Sequence, residues 1–251
     1  MEVLVFDLLG KMAHFRKYYT NSSSLSYYFP PRTTITGILA GIIGLERDLY
    51  YEQFSEENCK IGISIKSSLR KKINMVNYIW AENLKDINLS KKQHTQIPLE
   101  IILPEDYKHL LIYRIFFAHK DEREFEKVKE KIVNEKVCFP PYLGISEFIG
   151  KINYVYLGKA EEKYFDNIVE INSVVNVEYI KNNECNVEPY ENSLYIKELM
   201  PFSFDKNRQL RNSPKEFIGE IRNGKIKLKG HGKAYFIREL NENILFMEDE
   251  V

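Results

Sequence analysis

At 251 residues, with 36 lysines and arginines balanced by 36 aspartates and glutamates, the chain is long enough to bury a core without disulfides and too neutral for binding driven by net charge. Any anion site must come from local segregation of charge. Three cysteines, Cys59, Cys138 and Cys185, lie far apart with no Cys-x-x-Cys spacing, which argues against a disulfide framework and a zinc site and fits a reducing cytoplasm.

The chain enters Val3, Leu4, Val5 and Phe6 directly rather than through a basic and then apolar leader. Its longest apolar run, 35–45, is too short to cross a bilayer, so no membrane contact is expected and a soluble cytoplasmic protein is predicted. Val3 to Phe6 reads as a buried first strand, ended by Gly10. Residues 10–45 then hold no acidic side chain. Lys11, His14, Arg16, Lys17 and Arg32 supply cationic donors there, and Phe15, Tyr18, Tyr19, Tyr27, Tyr28 and Phe29 supply π-faces between them. Those are the two ingredients of single-stranded nucleic-acid binding, and RNA is the leading ligand. Ser22, in a run of three serines, adds hydroxyls for phosphate or ribose.

Pro30 and Pro31 force an extended approach, after which Thr33 or Thr34 caps a helix whose apolar residues Ile35, Ile38, Leu39, Ile42 and Leu45 follow helical spacing. Gly37, Gly41 and Gly44 each cost about 1 kcal/mol relative to alanine inside it; bare backbone lying close against a sheet accounts for them. Arg32 falls at the helix start, where backbone N–H groups attract anions, so a phosphate is expected there. Ile61, Ile63 and Ile65 alternate with Gly62, Ser64 and Lys66 as a half-buried strand. Residues 69–80 and 97–103 read as the arms of a long hairpin around the polar, lysine-rich segment 81–96. Arg70, Lys71, Lys72, Lys91 and Lys92 lie along this region, and Trp80, the only tryptophan, is as suited to stacking on a base as to filling a core.

Residues 110–118 return as a central strand. Residues 121–134 form an amphipathic helix with Phe125, Val128 and Ile132 on its stripe. A rigid turn follows at Pro140 to Gly144, and 152–157 alternates as another strand. Strand, helix, strand, strand, helix, strand is the order of an α+β, ferredoxin-like (RRM-like) domain over 1–160, with the hairpin at about 69–103 inserted as a thumb. Residues 161–251 read as a small mixed β region packed on it. A late basic cluster, Arg208, Arg211, Lys225, Lys227 and Lys229, is an equal candidate for a nucleic-acid contact or a charged face.

The string GKMAHFR over 10–16, followed by SLSYYFPPRTTITGILAGIIGL over 24–45, resembles the N-terminal signature of the CRISPR-associated Cas5 family. TQIPLE over 95–100 and PPYLGISE over 140–147 agree with it, and the form of the motifs is nearest to the type I-B branch. The resemblance implies a non-catalytic subunit of the Cascade surveillance complex, with a ferredoxin-like palm and a protruding β thumb. Such a subunit holds the 5′ handle of the crRNA, caps the filament of backbone subunits and contacts the large subunit, meeting target DNA only indirectly. Carried onto this chain, Lys11, His14, Arg16, Lys17, Ser22, Arg32 and Thr33 would meet the handle. Arg70, Lys71, Lys72, Trp80 and Gln96 would meet RNA or a neighbour from the thumb. Gly144 follows the double proline as a turn residue, with close approach of RNA as its functional version.

The rival reading is a metal-independent endoribonuclease that processes precursor crRNA, as type I-C relatives do. Such cleavage needs a base for the 2′-hydroxyl and a cation for the developing charge; His14 with Lys11 or Lys17, and His119 with Lys120, are the candidate pairs, but no paired constellation is evident. No carboxylate cluster reads as a two-metal site and no Gly-Lys-Ser or Gly-Lys-Thr loop is present, so no metal and no cofactor are expected. An ordinary RNA-recognition motif is disfavoured because the basic-glycine-aromatic string of its third strand is missing.

Overall fold

The computed structural model describes residues 1–79, 81, 83–87, 94–222 and 224–250. Trp80, Lys91 and Lys92 fall outside the described residues. The fold mixes many strands with few helices. In chain order the elements are β1 (Glu2–Gly10), β2 (Phe15–Arg16), β3 (Ser26–Tyr27), α1 (Arg32–Ile43), β4 (Cys59–Ile65), β5 (Leu69–Ile79), β6 (His94–Pro104), β7 (Leu111–His119), α2 (Glu122–Val133) and β8 (Lys151–Lys159). There follow β9 (Glu161–Phe165), β10 (Ile168–Ile171), β11 (Val175–Asn176), α3 (Val177–Asn182), β12 (Asn186–Glu188), β13 (Tyr195–Met200), β14 (Lys215–Glu220), β15 (Ile226–Lys229), β16 (Gly232–Ile237) and β17 (Glu242–Ile244).

The central sheet has the order β4-β7-β1-β8, with every neighbouring pair antiparallel. From Val3 to Leu9, β1 is apolar on both faces apart from Asp7, because both faces are covered, as expected of a strand buried on two sides. Leu4, Phe6 and Leu8 point to one face and join Ile35, Leu39 and Ile42 of α1 and Phe125, Val128 and Ile132 of α2 in the main core. Val3 and Val5 point to the other and meet Tyr235, Ile237, Ile244 and Phe246 from the C-terminal strands. The same cover explains why β4 is buried along nearly its whole length, although its alternation predicts a half-buried strand.

Asp7 lies on that second face, directly opposite Arg114 in register. The Arg114 Nε donates to Asp7 at 2.8 Å, and Arg114 and Lys66 both reach Glu242, at 3.1 and 2.8 Å. Carboxylates and cations pair there, as burial of charge requires, although both cations reach the same oxygen of Glu242 and its Oε2 is left without a hydrogen bond among the described residues.

The C-terminal strands form three small sheets, in the orders β10-β15-β12, β11-β14-β13 and β17-β16-β9. The segment after β17 runs back along β4: the Met247 N–H donates to the Ile61 carbonyl at 2.8 Å and the Glu248 carboxylate accepts from the Ile61 N–H at 2.9 Å.

β5 and β6 pair in continuous register from Leu69↔Pro104 to Ile79↔His94. The root is buried at Leu69 and Ile102, whereas farther along Ile73, Met75 and Tyr78 are more than half exposed. A two-stranded ribbon that leaves apolar side chains open to solvent is held by its root, not by its own core.

Candidate nucleic-acid interface

The basic aromatic loop is a short hairpin, β2 against β3, with Phe15 opposite Tyr27 and Arg16 opposite Ser26. Alternation sends Phe15 and Tyr27 into the core and Arg16 out to solvent. The loop is sewn to the root of the β5/β6 ribbon. Ala13 and Ile102 exchange backbone bonds at 3.0 and 2.8 Å, the Ser24 N–H donates to Pro98 and the Glu100 N–H donates to Ser24, both at 2.9 Å. Glu100 is the hub: its carboxylate accepts from the Ser26 N–H at 2.8 Å and from the Lys71 ammonium at 2.9 Å.

Several residues expected to face RNA are used to build this junction. His14 is 2% exposed. Its Nδ1 is 2.7 Å from the Glu100 carbonyl, so that nitrogen carries the proton, and its Nε2 faces the Ser24 hydroxyl at 2.9 Å. Burial holds the imidazole below its ordinary pKa, hence neutral. Lys71 also bonds the Ser26 carbonyl and lies 4.3 Å from the Tyr28 ring centre. Lys17 pairs with Glu198; burial works against its charge, but the hydrogen bond and charge of Glu198 prevail and raise its pKa.

Arg32 departs furthest from its expected role. Its side chain is 1% exposed, paired with Glu248, bonded to the Cys59 carbonyl at 3.2 Å and 5.3 Å from the Phe202 ring centre. The recess beside it, about 500 Å³, is lined by Glu56, Glu178, Glu248 and Glu250 with Lys215 as its one cation. A phosphate brought there would meet carboxylates. The expected anion site at the start of α1 is therefore corrected: the C-terminal segment supplies the counter-charge. Nor do Thr33 or Thr34 cap α1, which begins earlier, with Pro31 at the N-cap and no side-chain cap bond. Thr33 is half-buried in its first turn.

The exposed members are Lys11, Arg16, Ser22, Lys72 and Gln96, with Tyr18 and Tyr19 about half exposed and edge-on to each other at 5.2 Å. Arg16 donates to the Thr20 carbonyl at 3.2 Å, which shapes the loop tip and leaves the guanidinium in solvent. Lys72 and Gln96 fall on opposite faces of the ribbon, since Gln96 stands opposite Asn77. Arg70, half-buried, donates to the Pro104 carbonyl at 3.2 Å. In the late cluster, Arg211 forms a two-pronged bond with Glu52 at 2.7 Å, Lys225 pairs with Glu170, and Lys227 and Lys229 pair with Glu188.

Gly144 has φ 93°, and a Cβ there would lie 1.9 Å from the His14 carbonyl oxygen. The close approach that needs glycine is to the protein's own backbone. The helix glycines also differ from expectation. Gly37 and Gly41 do not press on a sheet; they line an open groove of about 950 Å³. Gly44 is the left-handed C-cap of α1, with φ 81°.

Both histidines proposed for cleavage have their ring nitrogens engaged. For His119, Nδ1 accepts from the Asp121 N–H at 3.0 Å and Nε2 donates to the Gln53 carbonyl at 2.9 Å. Among the described residues no group of three or more His, Cys, Asp or Glu is placed to hold a metal, and no helix is long and apolar enough to cross a membrane.

The family model for CRISPR-associated protein (Cas_Cas5) matches residues 3–227, most of the chain. The chain belongs to the CRISPR-associated Cas5 family. No curated relative matches it. Among solved structures, a CRISPR protein from Archaeoglobus fulgidus is 15% identical with a TM-score of 0.55, covering 97% of this chain and 98% of its own. A chain of a CRISPR RNA-guided surveillance complex is 13% identical with a TM-score of 0.47, covering 87% and 90%. The Archaeoglobus likeness shows that the Cas5-family chain shares that protein's fold over nearly its full length.

Proposed function

We propose that this Cas5-family chain is a non-catalytic subunit of a type I CRISPR Cascade complex, of the type I-B form, that grips the 5′ handle of the crRNA and caps the backbone filament in antiviral defence. The observation that carries the reading is the junction of basic loop and ribbon. It presents Lys11, Arg16, Tyr18, Tyr19 and Ser22 to solvent beside an extended hairpin, cations and rings together, on a chain of this family. The strand order β4-β7-β1-β8, with one helix after the first strand and one after the third, supports a ferredoxin-like palm over 1–160. The β5/β6 ribbon is its thumb, and residues 161–251 form a β region on the palm's second face. Backbone and large subunits are its protein partners, and the cytoplasm its compartment.

Phosphate-led binding of a single strand loses affinity steeply with salt, the logarithmic slope steepening by about 0.7 for each phosphate contact made. Stacking contributes about 1–3 kcal/mol per base. The test is fluorescence anisotropy with a labelled repeat RNA at several salt concentrations. Arg16→Ala is expected to flatten the salt slope, and Tyr18→Ala with Tyr19→Ala to weaken binding about tenfold or more. A flat salt response, with affinity unchanged in both variants, overturns the RNA reading. The engaged nitrogens of His14 and His119 favour the clamp over the nuclease; specific metal-free cleavage of the repeat, lost in His119→Ala, would reverse that preference.

A further inference from the structure

α1 buries Ile35, Leu39 and Ile42 in the core, and its opposite side, carrying Gly37 and Gly41, lines the groove that runs from Thr33 to Leu45. A helix of 12 residues is about 18 Å long, so the groove is an elongated trough. Nothing in the chain requires the bare floor. A Cβ on Gly41 would come no nearer than 3.9 Å to Phe139, and one on Gly37 would meet the tip of Tyr50 at 3.1 Å. The wall is fixed in place: Cys138 and Phe139 donate their N–H groups to the Ile42 and Gly41 carbonyls at 2.9 and 3.1 Å, and the Gly150 N–H holds the Pro141 carbonyl at 2.8 Å. Along that wall Phe139, Tyr142 and Ile149 are 59%, 51% and 71% exposed, a contiguous apolar surface of the kind that marks an interaction site.

The charges decide what class of molecule fits. Arg47 is paired with Asp48, and the exposed Arg208, whose charge also acts on Asp48, makes no side-chain hydrogen bond or ion pair of its own among the described residues, so the arginines lining the trough sit together at one end. A nucleic-acid strand carries a phosphate at every nucleotide and needs cations along its whole track. A protein helix needs only an apolar face and one complementary charge. We propose that the trough receives a helix from another protein subunit, seated by small apolar side chains on Gly37 and Gly41, with a carboxylate over Arg208. The glycines let the two backbones approach more closely than side chains would allow. This inference rests on the assembly proposed above only for the source of the partner.

The test uses the complex purified after co-expression of the chain with the CRISPR subunits encoded beside it, with the photoreactive residue p-benzoylphenylalanine replacing Ile149. Irradiation followed by mass spectrometry is expected to join position 149 to a helical peptide of a different protein subunit. Cross-links only to RNA, only to a second copy of this chain, or to nothing overturn the proposal. In parallel, Gly41→Leu is expected to leave the melting temperature and RNA affinity of the free chain undiminished while lowering affinity for the other subunits at least tenfold. Full retention of assembly overturns the proposal. Should the unmodified chain join no complex, the assembly role itself falls and this inference with it, an outcome distinct from loss in Gly41→Leu alone.

Discussion

Replacing Glu248 with glutamine removes the charge that faces Arg32 while keeping shape. Arg32 stays cationic: burial disfavours its charge, but Glu248 raises its pKa in the native protein, and no other carboxylate among the described residues is bonded to it. Burial also drives the Glu248 carboxyl above its ordinary value, an upward push that Arg32 only partly offsets. Both side chains are almost fully covered, at 1% and 7% exposed, so solvent cannot take over the lost role. Breaking such a pair from one side costs about 3–5 kcal/mol, on the order of 10 °C in melting temperature for a chain of this length. Replacing both partners together, Arg32→Met with Glu248→Leu, restores part of that loss, because the desolvation cost disappears with the charges while the Ile61 N–H loses its acceptor. Urea titrations of both single variants and the double variant give the coupling directly. The half-exposed Lys225–Glu170 pair is the control, worth about 0–1 kcal/mol. A loss under about 1 kcal/mol for Glu248→Gln refutes the argument. So does a folded double variant whose repeat-RNA affinity has dropped tenfold, since that would put Arg32 against RNA.

Gly144→Ala forces a Cβ against the His14 carbonyl at a left-handed φ and is expected to cost at least about 2–3 kcal/mol, while Gly41→Ala, in open space, is neutral or gains up to about 1 kcal/mol; thermal melts that rank them the other way contradict the geometry. Burial keeps the folded pKa of His14 below its ordinary value, so the unfolded chain binds the proton first, and stability, full above about pH 6.5, falls as pH drops below it. His14→Gln should remove that part of the pH dependence in melts between pH 5 and 8, and amide exchange at Ser24 and Glu100 should quicken at the acid end for the native chain alone. Glu100→Ala leaves Lys71 without its carboxylate and the Ser26 N–H without an acceptor; a cost of about 1–3 kcal/mol is expected, together with protease nicking near the ribbon root that the native chain resists.

Most of the central layer was legible because its signals are local. β7 and α2 fall where periodicity places them, within a residue or two, and Asp121 caps α2 through the Arg123 N–H. The ribbon arms end at Ile79 and Pro104, close to the predicted limits. β1 ends at Gly10, where the glycine is expected to stop it, and Leu8 and Leu9 find partners on β7 and β8 before it does. What the sequence hid was long-range pairing. Nothing near Arg32 announces a carboxylate 216 positions away, and nothing near His14 announces the carbonyl of Glu100. The acid-free stretch over 10–45 was a true pattern whose meaning was divided: its inward members, His14, Lys17 and Arg32, take partners from distant segments, and its outward ones, Lys11 and Arg16, keep their charge for solvent or ligand. In the sequence the helix glycines suggest contact with a sheet because a lone sequence cannot tell a surface that touches its own chain from one left open.

The seam between α1 and the C-terminal segment also sets a schedule for biosynthesis. Arg32 leaves the ribosome 216 residues ahead of Glu248, roughly 10–40 s at ordinary elongation rates. Through that interval the amino-terminal strands can collapse, but the guanidinium has no carboxylate to meet and must stay hydrated at the mouth of α1. The N-terminal half therefore waits, unlatched, for the segment around Glu248 to arrive and lock it.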